Sequence, residues 1–198
     1  MELLNWTAIF IIVSGSVGFY LLIKQGIEQK TLRDVLISIA LIPIILLNIW
    51  DLISLELGDF VLITRWFTLT SLLFICSSLL EFIRESKPKF SKFPIYLIFT
   101  PFITLFVYPL AIETKVISDM LILTYQAGSI IVGFLLYGIH HTKTRNKKSE
   151  LISLVLFTIS FLVFWFMNSL VTIDTELISK FFMGIGILTF SIGNKSIK

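Results

Sequence analysis

The chain has 198 residues, of which 56% are hydrophobic and only 15% are charged, and its mean hydropathy is +0.94. Soluble domains carry about 25% charged residues, so this composition is typical of a protein embedded in a bilayer. Because about 20 apolar residues cross the hydrocarbon core, seven crossings would use about 140 positions. The residues that remain are too few to form a folded catalytic or nucleotide-binding domain on the same chain.

Continuous apolar runs, rather than the alternation expected of barrel strands, predict a helical membrane protein. The runs predict seven spans, at residues 6–23, 35–53, 60–83, 93–111, 116–139, 151–170 and 176–193. The first run lacks the positive flank of a signal peptide, so we expect it to remain as a membrane helix. No linker separates the segments. The prediction is an all-α polytopic fold, with residues 1–198 forming one seven-transmembrane-helix bundle.

The loops alternate in charge along the chain. Thirteen of the sixteen Lys and Arg residues follow segments one, three, five and seven, and the exceptions are Arg65, Lys115 and Lys180. The other loops are acidic or balanced. Under the positive-inside rule, this pattern predicts a multi-pass protein of the cell membrane with its N-terminus outside and its C-terminus in the cytoplasm.

The net charge of +3 does not indicate a nucleic-acid partner, because the basic residues lie in short loops and not on a soluble surface. Besides the surrounding lipid bilayer, we expect the basic cytoplasmic loops to contact anionic lipid or a partner membrane protein. The uncharged, Phe-rich segment at 93–111 is expected to face lipid or a second copy of the chain in a homo-oligomer. The sequence leaves these alternatives open.

Candidate catalytic and metal-binding groups are scarce. The two histidines, His140 and His141, are adjacent at a helix end, and no cluster of ligands accompanies them. The single cysteine, Cys76, excludes an intrachain disulfide and a thiolate cluster. Intramembrane catalysis needs a nucleophile with a base, or several inward-facing metal ligands. We therefore predict a protein that is not an enzyme and has no catalytic residue, no metal site and no cofactor of its own.

Charged and polar residues inside the spans concentrate near the predicted outer surface. Such residues are costly in a membrane and are functional-site hypotheses by default. The candidate ligand-binding set comprises Asp51, Arg65, Trp66, Asp119, Trp165, Asn168, Glu176 and Lys180. One interpretation is that these charges pair and align the helix ends. The other is an outward-opening pocket, with Trp50 also in its wall, that binds an anionic or polar ligand.

Several stretches resemble the microbial rhodopsins, which are seven-helix proteins with an outside N-terminus. The stretch 20–26 with Pro43 looks like that family's first hairpin, and Arg65-Trp66 followed by 69–73 is similar to its third helix. Glu176 precedes Lys180 by four residues, as a counterion precedes the retinal-bearing lysine in that family. The resemblance implies retinal as a cofactor, bound to Lys180.

Three functional hypotheses follow from the sequence. The first is a sensor or receptor-like module that binds a ligand at the outer polar and aromatic cluster. The alternative is a transporter for a small solute or an ion, including the retinal-binding case, which predicts a polar route past Tyr125, Gln126 and Glu81. A third is an accessory subunit whose charges are buried against a partner.

Overall fold

A computed structural model describes residues 2–54, 61–86, 89–111, 115–144, 148–167 and 175–193, and every regular element in these ranges is helical. The elements are α1 (Glu2–Gln29), α2 (Leu32–Ser54), α3 (Val61–Ser86), a 3-10 helix (Ile95–Ile103), α4 (Thr104–Ala111), α5 (Lys115–Thr144), α6 (Lys148–Leu162), a π-helical turn (Val163–Met167) and α7 (Thr175–Gly193). Six of the described helices are long and apolar enough to cross a membrane. The predicted all-α class is therefore confirmed for the described residues, and the six long apolar helices are compatible with a multi-pass membrane protein.

The outer surface of the bundle is strongly apolar. The exposed fraction reaches 68% for Trp6 and Tyr96 and 83% for Phe106. Large apolar side chains exposed over a whole surface are unfavourable in water and mark contact with lipid or another protein. The surface thus agrees with a bilayer as the surrounding medium.

The helices extend beyond the predicted apolar segments. Their last turns consist of polar residues, which an apolar run in the sequence does not include. In α1 the chain stays helical past Lys24, whose Nζ lies 3.9 Å from Glu28 Oε1 one turn later. The helix then ends in a Schellman motif: Lys30 has a positive φ of 54°, and the Thr31 amide donates to the Gly26 carbonyl oxygen at 3.0 Å. This tight turn sets α2 directly against α1.

The predicted single helix at 93–111 is wrong in detail, because it consists of two kinds of helix. A 3-10 helix with Pro94 at its N-cap and Pro101 inside it continues directly into α4. Proline lacks the amide hydrogen that an α-helix interior requires, which explains the change. At about 2.0 Å per residue in a 3-10 helix and 1.5 Å in an α-helix, this composite helix (Ile95–Ala111) extends about 30 Å. Its length matches a hydrocarbon core even though it has few residues.

The span predicted at 151–170 also departs from a regular α-helix. The α-helix ends at Leu162, and Val163–Met167 form a π-helical turn, while 168–170 lie outside the described residues. Single π-helical turns inside membrane helices are frequent at functional sites. This one brings Phe164 and Trp165 to the wall of the cavity described below.

Six of the helices form a closed ring in the order α1, α2, α3, α5, α6, α7 and back to α1. Small residues allow the close approaches between these helices. A Cβ atom at Gly15 would lie 2.8 Å from Ile45 of α2, and one at Gly18 would lie 2.8 Å from Ser191 of α7. Between α6 and α7, Ser160 and Ser179 exchange hydrogen bonds with each other's carbonyl oxygens at 2.9 and 3.0 Å.

The composite helix lies outside the ring, against α3. The helices α3 and α5 run parallel, since Arg65 pairs with Asp119 near their starts and Phe82 packs on Tyr137 near their ends. Because the two helices run the same way, the chain between them must return across the bundle. The composite helix makes this return. It therefore adds a seventh crossing of the bundle to the six in the ring.

Candidate functional site

The ring of six helices encloses a cavity of about 650 Å³. All six ring helices contribute to its wall, whereas the composite helix contributes no lining residue among those described. Most of the lining side chains are aliphatic or aromatic, and the others are polar or charged. Pockets for small molecules usually measure about 300–1,000 Å³ and combine an apolar wall with a few polar groups. Both size and lining fit a small-molecule site.

Charged residues surround one end of the cavity, and we call this end the rim. Arg65 of α3 donates to Asp119 of α5, with 2.9 Å between Nη2 and Oδ1. Lys180 of α7 lies 3.0 Å from Asp51 Oδ2 on α2 and 2.7 Å from Glu176 Oε1 on its own helix. All five residues line the cavity. The sequence predicted that these charges would cluster, and the structure brings them together around one opening.

Both predicted interpretations of the rim charges find support in this geometry. The ion pairs connect α3 to α5 and α2 to α7, as alignment of the helix ends requires. The same side chains line a cavity that reaches deep into the ring. The Lys180 side chain is 15% exposed, while those of Asp51 and Glu176 are 33% and 49% exposed. The cation is therefore held behind two carboxylates that face the opening.

Two tryptophans contribute to the cavity wall near the rim. Trp165, in the π-helical turn, donates its indole N–H to Gln126 Oε1 of α5 at 2.6 Å. Trp50 lines the cavity from α2. Phe161 and Phe164 lie in the same wall. The end of the cavity near the rim is thus bounded by aromatic rings as well as by charged side chains.

Trp66, predicted as a site residue, is not placed in the cavity. Its ring packs edge-on against Tyr108 of α4, with centroids 5.1 Å apart. Neighbouring residues on an α-helix point about 100° apart, so Trp66 turns away from the cavity when Arg65 faces it. Tyr125 also faces the composite helix, where its hydroxyl contacts that of Thr104. Asn168, the remaining predicted site residue, lies outside the described residues.

Asn48 is a cavity residue that the sequence prediction omitted. It lies one turn below Asp51 on α2, is only 2% exposed, and lines the cavity. Its Nδ2 donates to the Ile44 carbonyl oxygen at 2.9 Å, but its Oδ1 accepts no hydrogen bond from any described residue. Leaving a buried acceptor unsatisfied costs about 1–3 kcal/mol. Asn48 therefore keeps one buried acceptor without a hydrogen-bond partner among the described residues, beside the cavity wall.

A second polar cluster, at the opposite end of the ring, was missed by the sequence prediction. Arg33 pairs with Asp34 at 2.9 Å, and its guanidinium lies 5.1 Å from the centroid of the Phe82 ring. Arg33, Asp34, Glu81 and Glu150 are 8%, 0%, 2% and 1% exposed. Glu81, named above as part of a polar route, is buried and accepts two hydrogen bonds of 2.7 and 3.0 Å from Arg84. The cluster joins α2, α3 and α6.

One signal in the sequence points to this cluster. Thr31 and Asp34 have the spacing of a helix-capping pair, and Thr31 Oγ1 donates to Asp34 Oδ2 at 2.7 Å. The pair therefore marks the start of α2 three residues before the predicted segment 35–53. A start of α2 predicted from this pair would have placed Arg33 and Asp34 inside the bundle and not in a loop.

Within the described ranges, no three His, Cys, Asp or Glu side chains are grouped as metal ligands would be. The described residues thus form a largely apolar cavity with ion pairs at one end. Comparisons with protein families, with curated protein sequences and with solved structures find no match to this chain.

Proposed function

We propose that this protein is a receptor-like membrane module that binds a small amphipathic ligand in the cavity of its helix ring. One observation carries the proposal: a cavity of about 650 Å³ has an apolar wall and opens through the charged rim of Asp51, Arg65 and Lys180. The polar groups suit the head of such a ligand, and the apolar wall suits its body. The ligand requires no cofactor, and the protein is not proposed to act as an enzyme.

The proposed orientation places the rim on the outer side of the cell membrane. The directions of the helices put the connections after α1, α3 and α5 at the end opposite the rim. Thirteen of the sixteen Lys and Arg residues follow segments one, three, five and seven. Under the positive-inside rule this end belongs in the cytoplasm, and the N-terminus lies outside. Seven crossings, with the composite helix as the fourth, follow from this arrangement.

The proposed partners are molecules of the membrane. The basic connections suit anionic lipid headgroups, or a membrane protein that reads the state of the cavity. The exposed aromatic face of the composite helix, which includes Tyr96 and Phe106, suits lipid or a second copy of the chain. An accessory role beside another membrane protein uses the same surfaces.

The test uses three probes with the same apolar body. They are the cation 2-(1-naphthyl)ethylamine, the neutral 2-(1-naphthyl)ethanol, and 1-naphthylacetate, the carboxylate anion of 1-naphthaleneacetic acid. Purified protein in nanodiscs is titrated with each probe, and the melting temperature and tryptophan fluorescence are followed against protein-free nanodiscs. Thr68 lines the cavity, so we expect Thr68→Trp to fill it and abolish binding. Ile131 is 60% exposed, so Ile131→Trp is the matched control and should bind as the native chain does. No saturable binding of any probe would contradict the proposal.

A transporter is the second candidate, because the cavity continues from the rim down to Tyr137. The Tyr137 ring packs on Phe82, and the guanidinium of the buried Arg33 lies 5.1 Å from the Phe82 ring centroid. Polar groups thus lie at both ends of the cavity, which suits the passage of a polar solute. Uptake of a bound probe into proteoliposomes, above that of protein-free liposomes, would support transport. Saturable binding without uptake would support the receptor-like function.

Retinal binding is a special case of this second candidate, supported by the resemblance and by the position of Lys180 in the cavity wall. Retinal would supply light absorption, and Lys180 would hold it, with Asp51 and Glu176 at 3.0 and 2.7 Å as counterions. The test is an absorption spectrum after addition of all-trans retinal. A visible band that is lost in Lys180→Ala would support attachment there, and the lack of any band would contradict it.

A further inference from the structure

We infer that the cavity selects a protonated amine with an apolar body, in preference to an anion of the same shape. This inference rests on the proposed binding function and names the class of its ligand. Two independent features carry it: the charge balance at the rim and the aromatic wall.

The rim carries more negative than positive charge. Among the described rim residues, the carboxylates of Asp51, Asp119 and Glu176 outnumber the cations of Arg65 and Lys180. Each cation is already paired, and Lys180 is bound by two carboxylates. An anion would have to displace these partners to reach either cation. A cation can instead approach carboxylates that remain partly exposed.

Aromatic rings below the rim provide a surface that suits an organic cation. Trp50, Phe161, Phe164 and Trp165 all line the cavity. A cation over an aromatic face gains about 0.5–2 kcal/mol, and tryptophan gives the largest gain. The indole N–H of Trp165 is already used by Gln126, so the ring, and not its donor, remains for a ligand.

The experiment compares the dissociation constants of the three naphthyl probes on the native protein in nanodiscs. We expect 2-(1-naphthyl)ethylamine to bind at least about tenfold more tightly than 1-naphthylacetate, with the alcohol between them, and we expect this preference to shrink in high salt. Equal affinities, or tighter binding of the acetate, would overturn the inference while leaving the proposed function intact. No binding of any probe would instead remove the proposed function itself.

Discussion

Asp119 of α5 lies with its Oδ1 2.9 Å from Nη2 of Arg65 on α3. This ion pair joins two helices through residues that are 54 positions apart in the chain. The Arg65 side chain is 14% exposed and that of Asp119 is 36% exposed. The pair is therefore partly screened by solvent. Its contribution should lie between that of a surface ion pair and that of a fully buried one.

We expect a double-mutant cycle of Arg65→Gln and Asp119→Asn to give a coupling energy of about 1 kcal/mol. The reason is that each single substitution leaves one charge at the rim without its partner. The measurement is the free energy of unfolding in mixed micelles. The matched control is Lys24→Gln with Glu28→Gln, a pair 3.9 Å apart with side chains 54% and 64% exposed, where coupling should be close to zero. Equal coupling in both cycles would contradict a structural role for the rim pair.

Lys180 should respond differently, because it has two carboxylate partners. Asp51→Asn and Glu176→Gln each leave one partner at 2.7 or 3.0 Å, so each alone should lower the melting temperature only slightly. The double substitution leaves a cation that is 15% exposed without either carboxylate. We expect its loss of stability to exceed the sum of the two single losses, and Lys180→Met in the double variant to recover part of it. Simple additivity would show that the two carboxylates do not share the lysine.

The sequence predicted the six long helices and the charged residues of the rim, but not the 3-10 helix or the π-helical turn. Apolar runs of about 20 residues leave little choice of structure in a membrane, and charges within them must pair or face a polar interior. Arg65, Asp119 and Lys180 could therefore be selected from their positions alone. Which carboxylate each cation binds depends on the lateral order of the helices. The exclusion of the composite helix from the ring, which puts α3 beside α5, is not encoded in any local pattern.

The opposite end of the ring was not predicted, because its charges lie at helix ends and resemble loop residues. The helices α2 and α6 begin at Leu32 and Lys148, three residues before the predicted segments. Arg33, Asp34 and Glu150 consequently fall inside the first turns, where neighbouring helices bury them. Loop and helix-end charges have the same composition, and only the packing distinguishes them.

Replacement of Arg33 should be among the most damaging changes. Arg33→Met removes the cation that lies 2.9 Å from Asp34, a carboxylate that is 0% exposed. Removing one member of a buried ion pair costs about 3–5 kcal/mol. We expect a corresponding fall in the free energy of unfolding and partial recovery when Asp34→Leu is added. Lys92→Met, at an exposed basic position, should have no effect, and equal losses for Arg33 and Lys92 would contradict the buried pair.

Two glycines make a final test, because the same substitution should have opposite effects at them. Gly26 lies in the Schellman turn between α1 and α2, and a Cβ there would meet Val35 Cγ2 at 2.7 Å and the Val35 backbone nitrogen at 3.0 Å. A backbone atom cannot move away as a flexible side chain can. Gly128 lies inside α5, and a Cβ there would meet no atom within 4 Å.

We therefore expect Gly26→Ala to lower the free energy of unfolding by about 1–3 kcal/mol, because overpacking exceeds the gain in helix propensity. Gly128→Ala should raise it by about 0.5–1 kcal/mol, since only the propensity changes. Both are measured under the same micellar conditions as the ion-pair cycles. Stabilisation by both substitutions would mean that α1 and α2 are not held as closely as the turn at Lys30 places them. Loss at Gly26 with gain at Gly128 would instead locate the constraint in the contact between these two helices.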